Sequence, residues 1–193
     1  MKLRQRFFTL RRFNNVLSLV VIGLCLYIIL APFWPKVAYR FKTEPPLVAQ
    51  AEGKQKGPEQ IPKENTIVIP SMNLQQEIYE GNQWTLNKGI WHIPGTGDPA
   101  SGGNMVMAGH RFTYGGPAVL YHMDKVNRGD KIIVYWEQKK HEYEVKDILV
   151  VPPTQVEVQN QTEYPLLTIY TCTPLVTAAN RLVIQAEPLE VNR

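Results

Sequence analysis

Three patterns of apolar and polar positions follow one another along the chain. Val16 to Trp34 is an unbroken uncharged run of 19 residues, about 28 Å long as a helix and close to the hydrocarbon thickness of a bilayer. From Pro35 to about Asn65 large apolar residues thin out, as in Glu44-Pro45-Pro46 and Gly53-Lys54-Gln55-Lys56-Gly57-Pro58. Such a stretch cannot bury enough to order itself and reads as a tether. As a coil of about 30 residues it spans roughly 30 Å. From Thr66 onward short β-type runs alternate with turn clusters: Thr66–Pro70, Glu77–Tyr79, Gly89–Ile93, Asn104–Ala108, Lys131–Trp136, Glu142–Val151, Leu166–Cys172 and Arg181–Ala186. β-branched and aromatic residues dominate these runs. Glu137–His141 reads as a hairpin connection, Pro152–Tyr164 as a long polar one, and Ala118–Met123 as a single helical turn. About eight strands with one or two short helices predict an all-β domain closed, or nearly closed, into a barrel. Residues 66–193 suffice for one core.

Charge refines this layout. Residues 1–44 hold eight of the 21 Lys and Arg against one acid, Glu44, so residues 45–193 keep 13 basic and 16 of the 17 acidic residues, a net charge of −3. The basic excess is N-terminal, and the domain has no surplus with which to hold nucleic acid. Lys2, Arg4, Arg6, Arg11 and Arg12 flank the apolar run, and the denser basic flank stays in the cytoplasm, sending the C-terminal bulk outside. A cleaved signal peptide is the rival reading of Leu17–Leu30, but Pro32, Phe33 and Trp34 make a poor cleavage site. The expected organisation is a cytoplasmic basic segment over 1–15, a single transmembrane helix over 16–34, an extracellular stalk over 35–65 and the barrel over 66–193.

Two cysteines are present, Cys25 in the apolar run and Cys172 in the domain, and they are not placed to pair. An unpaired thiol outside the cytosol is conspicuous, because such compartments oxidise thiols; the plainer alternative is a buried, inert one. Cys172 ends one strand and Arg181 begins the next, so an antiparallel pair sets thiol and guanidinium side by side at one end of the sheet. A nucleophile beside a fixed positive charge is how a reactive cysteine is made. Arg181 as a rim ion pair is the alternative.

Acyl transfer through such a thiol needs an acid for the leaving amine and a donor for the oxyanion. His110 closes a strand after a glycine and enters the loop Arg111-Phe112-Thr113-Tyr114-Gly115-Gly116, a setting where catalytic groups gather. His92 is its competitor. His141 reads as solvated in a hairpin turn, and His122 as packing or surface. Gly95-Thr96-Gly97 lacks the lysine and helix of a phosphate loop, Ser101 lacks a hydrolase nucleophile setting, and one domain cysteine with scattered histidines does not make a zinc site.

Thr168-Ile169-Tyr170-Thr171-Cys172 resembles the T-L-x-T-C signature of sortases, the membrane-anchored cysteine transpeptidases of Gram-positive-type cell surfaces, with Ile169 for the usual leucine. Ala108-Gly109-His110-Arg111 resembles their histidine motif, and Arg181 falls where the family's arginine follows the cysteine. The resemblance covers about residues 66–190 and includes Arg128-Gly129-Asp130 and Thr173-Pro174 in family order. It implies an eight-stranded sortase barrel and three catalytic roles. Cys172 attacks the Thr-Gly carbonyl of a Leu-Pro-x-Thr-Gly or Leu-Ala-x-Thr-Gly sorting signal, Arg181 stabilises the oxyanion, and His110 protonates the departing amine. Thr171 lines the site in that family, and Tyr170, Arg111 and Tyr114 join it as expected substrate-binding residues. Pro152–Tyr164 corresponds to the loop that reads the apolar part of the signal.

The histidine motif and the short Cys-to-Arg loop look most like the class D and E housekeeping groups. The absence of an Asp-Pro-aromatic lid and of a second anchor weighs against the pilus-polymerising group. The implied partners are sorting-signal-bearing surface proteins and a peptidoglycan or precursor amine. No cofactor or metal is expected; Glu157 and Glu163 are too few to argue for calcium. A hydrolase acting on the same signal and a non-catalytic, membrane-tethered peptide-binding barrel are the alternatives.

Overall fold

The computed structural model describes residues 2–30, 61–113 and 116–189. The expected stalk up to residue 60, the end of the apolar run after Leu30, and Tyr114 lie outside the described residues. The chain divides into two compact units, Met1–Thr43 and Glu44–Arg193.

In the first unit, helix α1 spans Lys2–Leu30. It passes from the basic segment into the apolar run without a break, since neither Gly nor Pro interrupts it before Pro32 except the tolerated Gly23. Its portion Arg12–Leu30 is long and apolar enough to cross a membrane, and its apolar side chains are exposed.

The second unit holds eight strands: β1 (Thr66–Ile69), β2 (Leu74–Tyr79), β3 (Ile90–His92), β4 (Asn104–Ala108), β5 (Lys131–Trp136), β6 (Lys139–Val151), β7 (Leu166–Thr173) and β8 (Asn180–Pro188). They close into a barrel in the order β1-β2-β3-β4-β7-β8-β6-β5. Among the described residues only β2 with β3 and β4 with β7 pair parallel; the other pairings are antiparallel. Closure leaves no free sheet edge.

Side-chain alternation sorts each strand between interior and exterior. Ile67, Ile69, Met105, Met107, Ile132, Val134, Leu167, Ile169, Leu182 and Ile184 fill the interior, each fully buried aliphatic chain contributing about 1.5–3 kcal/mol relative to exposure. On β6, Tyr143 and Val145 face inward, then the register shifts between Val145 and Asp147 and Ile148 takes up the inward position. That bulge lets one strand of 13 residues follow the curvature of the barrel. A smaller cluster of Val68, Ile133 and Tyr135 is buried on the opposite face of β1 and β5.

Two local expectations are corrected. The β5–β6 connection is not the five residues Glu137–His141 but the two-residue turn Glu137-Gln138, both with positive φ (47° and 60°). Such a turn matches the twist of a hairpin, and His141 is therefore a half-buried strand residue. Ala118–Met123 forms no α-helix: turns lead into a 3-10 segment at Met123–Lys125. Among the described residues three further 3-10 segments occur, at Pro70–Met72, Gln83–Asn87 and Val156–Gln159.

Candidate active site

β7 and β8 pair so that Cys172 lies directly opposite Arg181 and Thr173 opposite Asn180. Directly opposed residues share a face, and here it is the outer one, because Ile169 and Leu182 of the same strands point into the core. The outer face of four consecutive strands forms the floor of a groove. One row across it runs from Trp91 on β3 to Ala108 on β4 and Tyr170 on β7; Cys172 and Arg181 make the next row. Leu86, from the 3-10 segment before β3, and Pro153, Gln155, Val158 and Gln159, from the β6–β7 connection, also line this groove of about 300 Å³. His110, just beyond the end of β4, completes the lining with Gly109 and Thr171. Sulfur, imidazole and guanidinium therefore border one concavity.

Each of the three is held by its neighbours. His110 Nε2 lies 3.1 Å from Asn87 Oδ1, so with that oxygen as acceptor the ring donates through Nε2–H. Partial burial pushes the His110 imidazole below the ordinary histidine value of 6.5, because a less solvated site disfavours the charged ring. Arg181 donates through Nη1 to the carbonyls of Ala178 and Asn180, both at 3.1 Å. These bonds hold one edge of the guanidinium and engage neither Nε nor Nη2. Cys172 is a half-buried free thiol, reachable from solvent yet flanked by a cation.

The remaining expected residues divide. Tyr170 and Thr171 line the groove. Burial raises the Tyr170 phenol, an effect that Arg181 partly offsets, and its hydroxyl accepts from Gln159 Nε2 at 3.3 Å. Thr171, 2% exposed, donates its hydroxyl to the Gly109 carbonyl at 2.7 Å, locking the strand that carries the sulfur to the residue before the imidazole. Arg111 is not brought to the groove. Buried at 7% exposure, it donates to Asp124 Oδ1 at 2.8 Å, Thr173 Oγ1 at 2.7 Å and the Tyr121 carbonyl at 3.5 Å.

The competing histidines are occupied elsewhere. His92 is buried, with Nε2 3.0 Å from the Gly97 carbonyl and Nδ1 3.4 Å from Glu80 Oε1, and packs edge-on against Trp136. His122 packs edge-on against Tyr121. Among the described residues no group of three or more His, Cys, Asp and Glu could hold a metal ion. Sequence reasoning missed Leu86, Trp91 and Asn87 as site neighbours; the outward position of Trp91, paired with Ala108 two residues before His110, was the available signal.

The family model for the sortase domain matches residues 67–189, almost two thirds of the chain. The chain belongs to the sortase family. This sortase is 30% identical over 139 residues to sortase SrtE1 of Streptomyces coelicolor, an alignment covering 63% of this chain and 39% of that relative. The match thus spans about two fifths of the curated relative. Among solved structures it resembles sortase C-1 from Actinomyces oris (30% identity, 66% of this chain and 72% of that one, TM-score 0.61). It also resembles a Clostridium perfringens sortase D5 transpeptidase (26% identity, 74% and 86%, TM-score 0.59). The eight-stranded barrel expected of the family is the one observed.

Proposed function

We propose that this sortase is a cysteine transpeptidase that cleaves the Thr-Gly bond of a Leu-Pro-x-Thr-Gly or Leu-Ala-x-Thr-Gly-like sorting signal and passes the acyl group to a cell-wall amine. The observation that carries the reading is the in-register pair Cys172 and Arg181, bordering one groove with His110. The likeness to a D5 transpeptidase and to SrtE1 supports it and suits a class D or E housekeeping role. The apolar helix supports a single-pass membrane protein with its basic N-terminus in the cytoplasm and its barrel outside.

In the proposed cycle the Cys172 thiolate attacks the threonine carbonyl, and the carbon–oxygen π electrons move onto oxygen as an oxyanion. Arg181 holds that charge through its guanidinium N–H groups, a contact strongest at the tetrahedral stage. Collapse expels the glycine amine, which takes a proton from the His110 imidazolium and leaves a thioester on Cys172. The now neutral His110 then removes a proton from the incoming amine, whose attack releases the new amide and restores the thiolate and imidazolium. Thr171 and Arg111 act at one remove, fixing the strand ends that carry the three reacting groups. Tyr170 is placed to contact peptide on the groove floor. Tyr114 enters the same proposal as a substrate contact on the strength of its loop alone.

The test is incubation of the full chain in detergent micelles with sorting-signal peptides, with and without an amine acceptor. Amide product is expected. Free acid alone, even with acceptor, would make the protein a hydrolase of the same signal. Binding without cleavage would make it a tethered peptide-binding barrel.

A further inference from the structure

We propose that Asn104 is a positioning residue for peptide recognition, acting through the β6–β7 connection that walls the groove. The inference rests on reading the groove as a peptide site. That connection, residues 152–165, contributes Pro153, Val158 and Gln159 to the groove lining, yet none of the residues in its 3-10 segment is buried. Ordering backbone costs about 1–2 kcal/mol per residue, and an exposed connection has little apolar burial to offset it. Its placement must come from polar contacts.

Asn104 supplies them from the start of β4, where it is 1% exposed. Its Nδ2 donates to the carbonyls of Val158 at 3.1 Å and Asn160 at 3.0 Å. Its Oδ1 accepts from the Thr168 hydroxyl at 2.7 Å. Two carbonyls can be met only by donors, so the amide orientation is determined: nitrogen toward the connection, oxygen toward β7. Its backbone carbonyl accepts from Gln161 Nε2 at 3.3 Å. The chain beside it is shaped for this approach. Gly103 has φ +75°, and a Cβ there would stand 2.5 Å from Gln161 Oε1. Gln159, between the two clasped carbonyls, then reaches Tyr170 on the groove floor. Asn104 touches none of the reacting groups, so its effect falls on how peptide is held.

The test uses the full chain in detergent micelles and the variant Asn104→Asp, which keeps the shape but turns two donors into an oxygen facing two carbonyls. Three quantities are read: steady-state kinetics on a cleavable sorting-signal peptide, amide hydrogen exchange over residues 156–165, and the rate of Cys172 alkylation by iodoacetamide. KM should rise about tenfold, the effect of losing roughly 1.4 kcal/mol of binding. Turnover should stay within about twofold and alkylation be unchanged, while exchange over 156–165 accelerates. Unchanged KM with unchanged exchange overturns the proposal, as does a fall in turnover at constant KM. If wild-type protein cleaves no signal peptide, the functional reading fails, and the exchange comparison still decides whether Asn104 holds the connection. Should Asn104→Asp not fold, the exposed Gln161→Ala takes its place. It should raise KM about two- to fivefold with faster exchange, and no change in either overturns the proposal equally.

Discussion

Arg111 Nη1 donates to Thr173 Oγ1 at 2.7 Å while Nη2 holds Asp124 Oδ1 at 2.8 Å. One buried guanidinium thus joins the residue after His110 to the residue after Cys172 and to the 3-10 segment at Met123–Lys125. Arg111→Ala should cost about 1.5–3 kcal/mol of stability, the usual range for hydrogen bonds to a charged group, and lower turnover more than it raises KM. Arg111→Lys should recover only part, since an ammonium cannot reproduce the planar fork. Urea unfolding and steady-state kinetics check both; wild-type stability in the alanine variant would remove Arg111 as a strut.

Thr171→Val keeps the shape of the side chain but removes the hydroxyl donated to the Gly109 carbonyl. A buried carbonyl left without its donor costs about 1–3 kcal/mol. Thr171→Ser should retain most activity and Thr171→Val should lose turnover with little change in KM. Equal kinetics for the two variants would show that the bond does not set the relation between sulfur and imidazole.

Removing the sulfur should end thioester formation, so Cys172→Ala should show no acyl-enzyme by intact mass spectrometry. Arg181→Ala should keep the fold, because β8 is held by its neighbours on both sides, and slow turnover by about 100- to 1000-fold, the range for loss of an oxyanion donor. Normal turnover in Cys172→Ala would end the covalent mechanism.

His110 and His141 both sit below the ordinary histidine value of 6.5, His110 by burial and His141 by burial and then the Lys139 charge. In this range the unfolded chain binds more protons than the folded one, so stability rises with pH. The two histidines therefore favour the fold fully above pH 6.5, and that contribution is lost as pH falls through their lower folded values. The melting temperature should drop between pH 7 and pH 5, less steeply in His110→Gln. An NMR titration midpoint for His110 above 6.5 would contradict the burial argument.

The barrel was legible because its strands are apolar on at least one face. Lys131–Trp136 and Asn104–Ala108 carry their observed bounds in the sequence, and the eight residues between Cys172 and Arg181 suffice only for a tight reversal. β2 begins earlier than its pattern indicates because Gln75 and Gln76 are held by pairing to Val68 and Ile67, not by their own strand preference. The Glu137-Gln138 turn was hidden because neither residue advertises positive φ as glycine or asparagine would. At the site, Cys172, Arg181 and His110 carry chemistry that can be named from residue type. Asn104 and Arg111 do not: Asn104 reads only as the first residue of a strand, and Arg111, expected to bind substrate, is instead buried among structural partners. Their roles come from partners more than fifty and sixty positions away.

The parallel pairing of β4 with β7 also joins parts of the chain far apart in sequence. Cys172 and Arg181 meet within one hairpin, whereas the bond that locks their strand to the glycine before His110 bridges a separation of 62 positions. Contacts so distant form late, after the cost of closing the intervening loop. In the proposed cycle, a chain whose final hairpin has not docked would hold Cys172 beside Arg181 but apart from His110. Proton transfer by His110 would therefore wait on closure of the barrel, a step that brings together residues 62 positions apart.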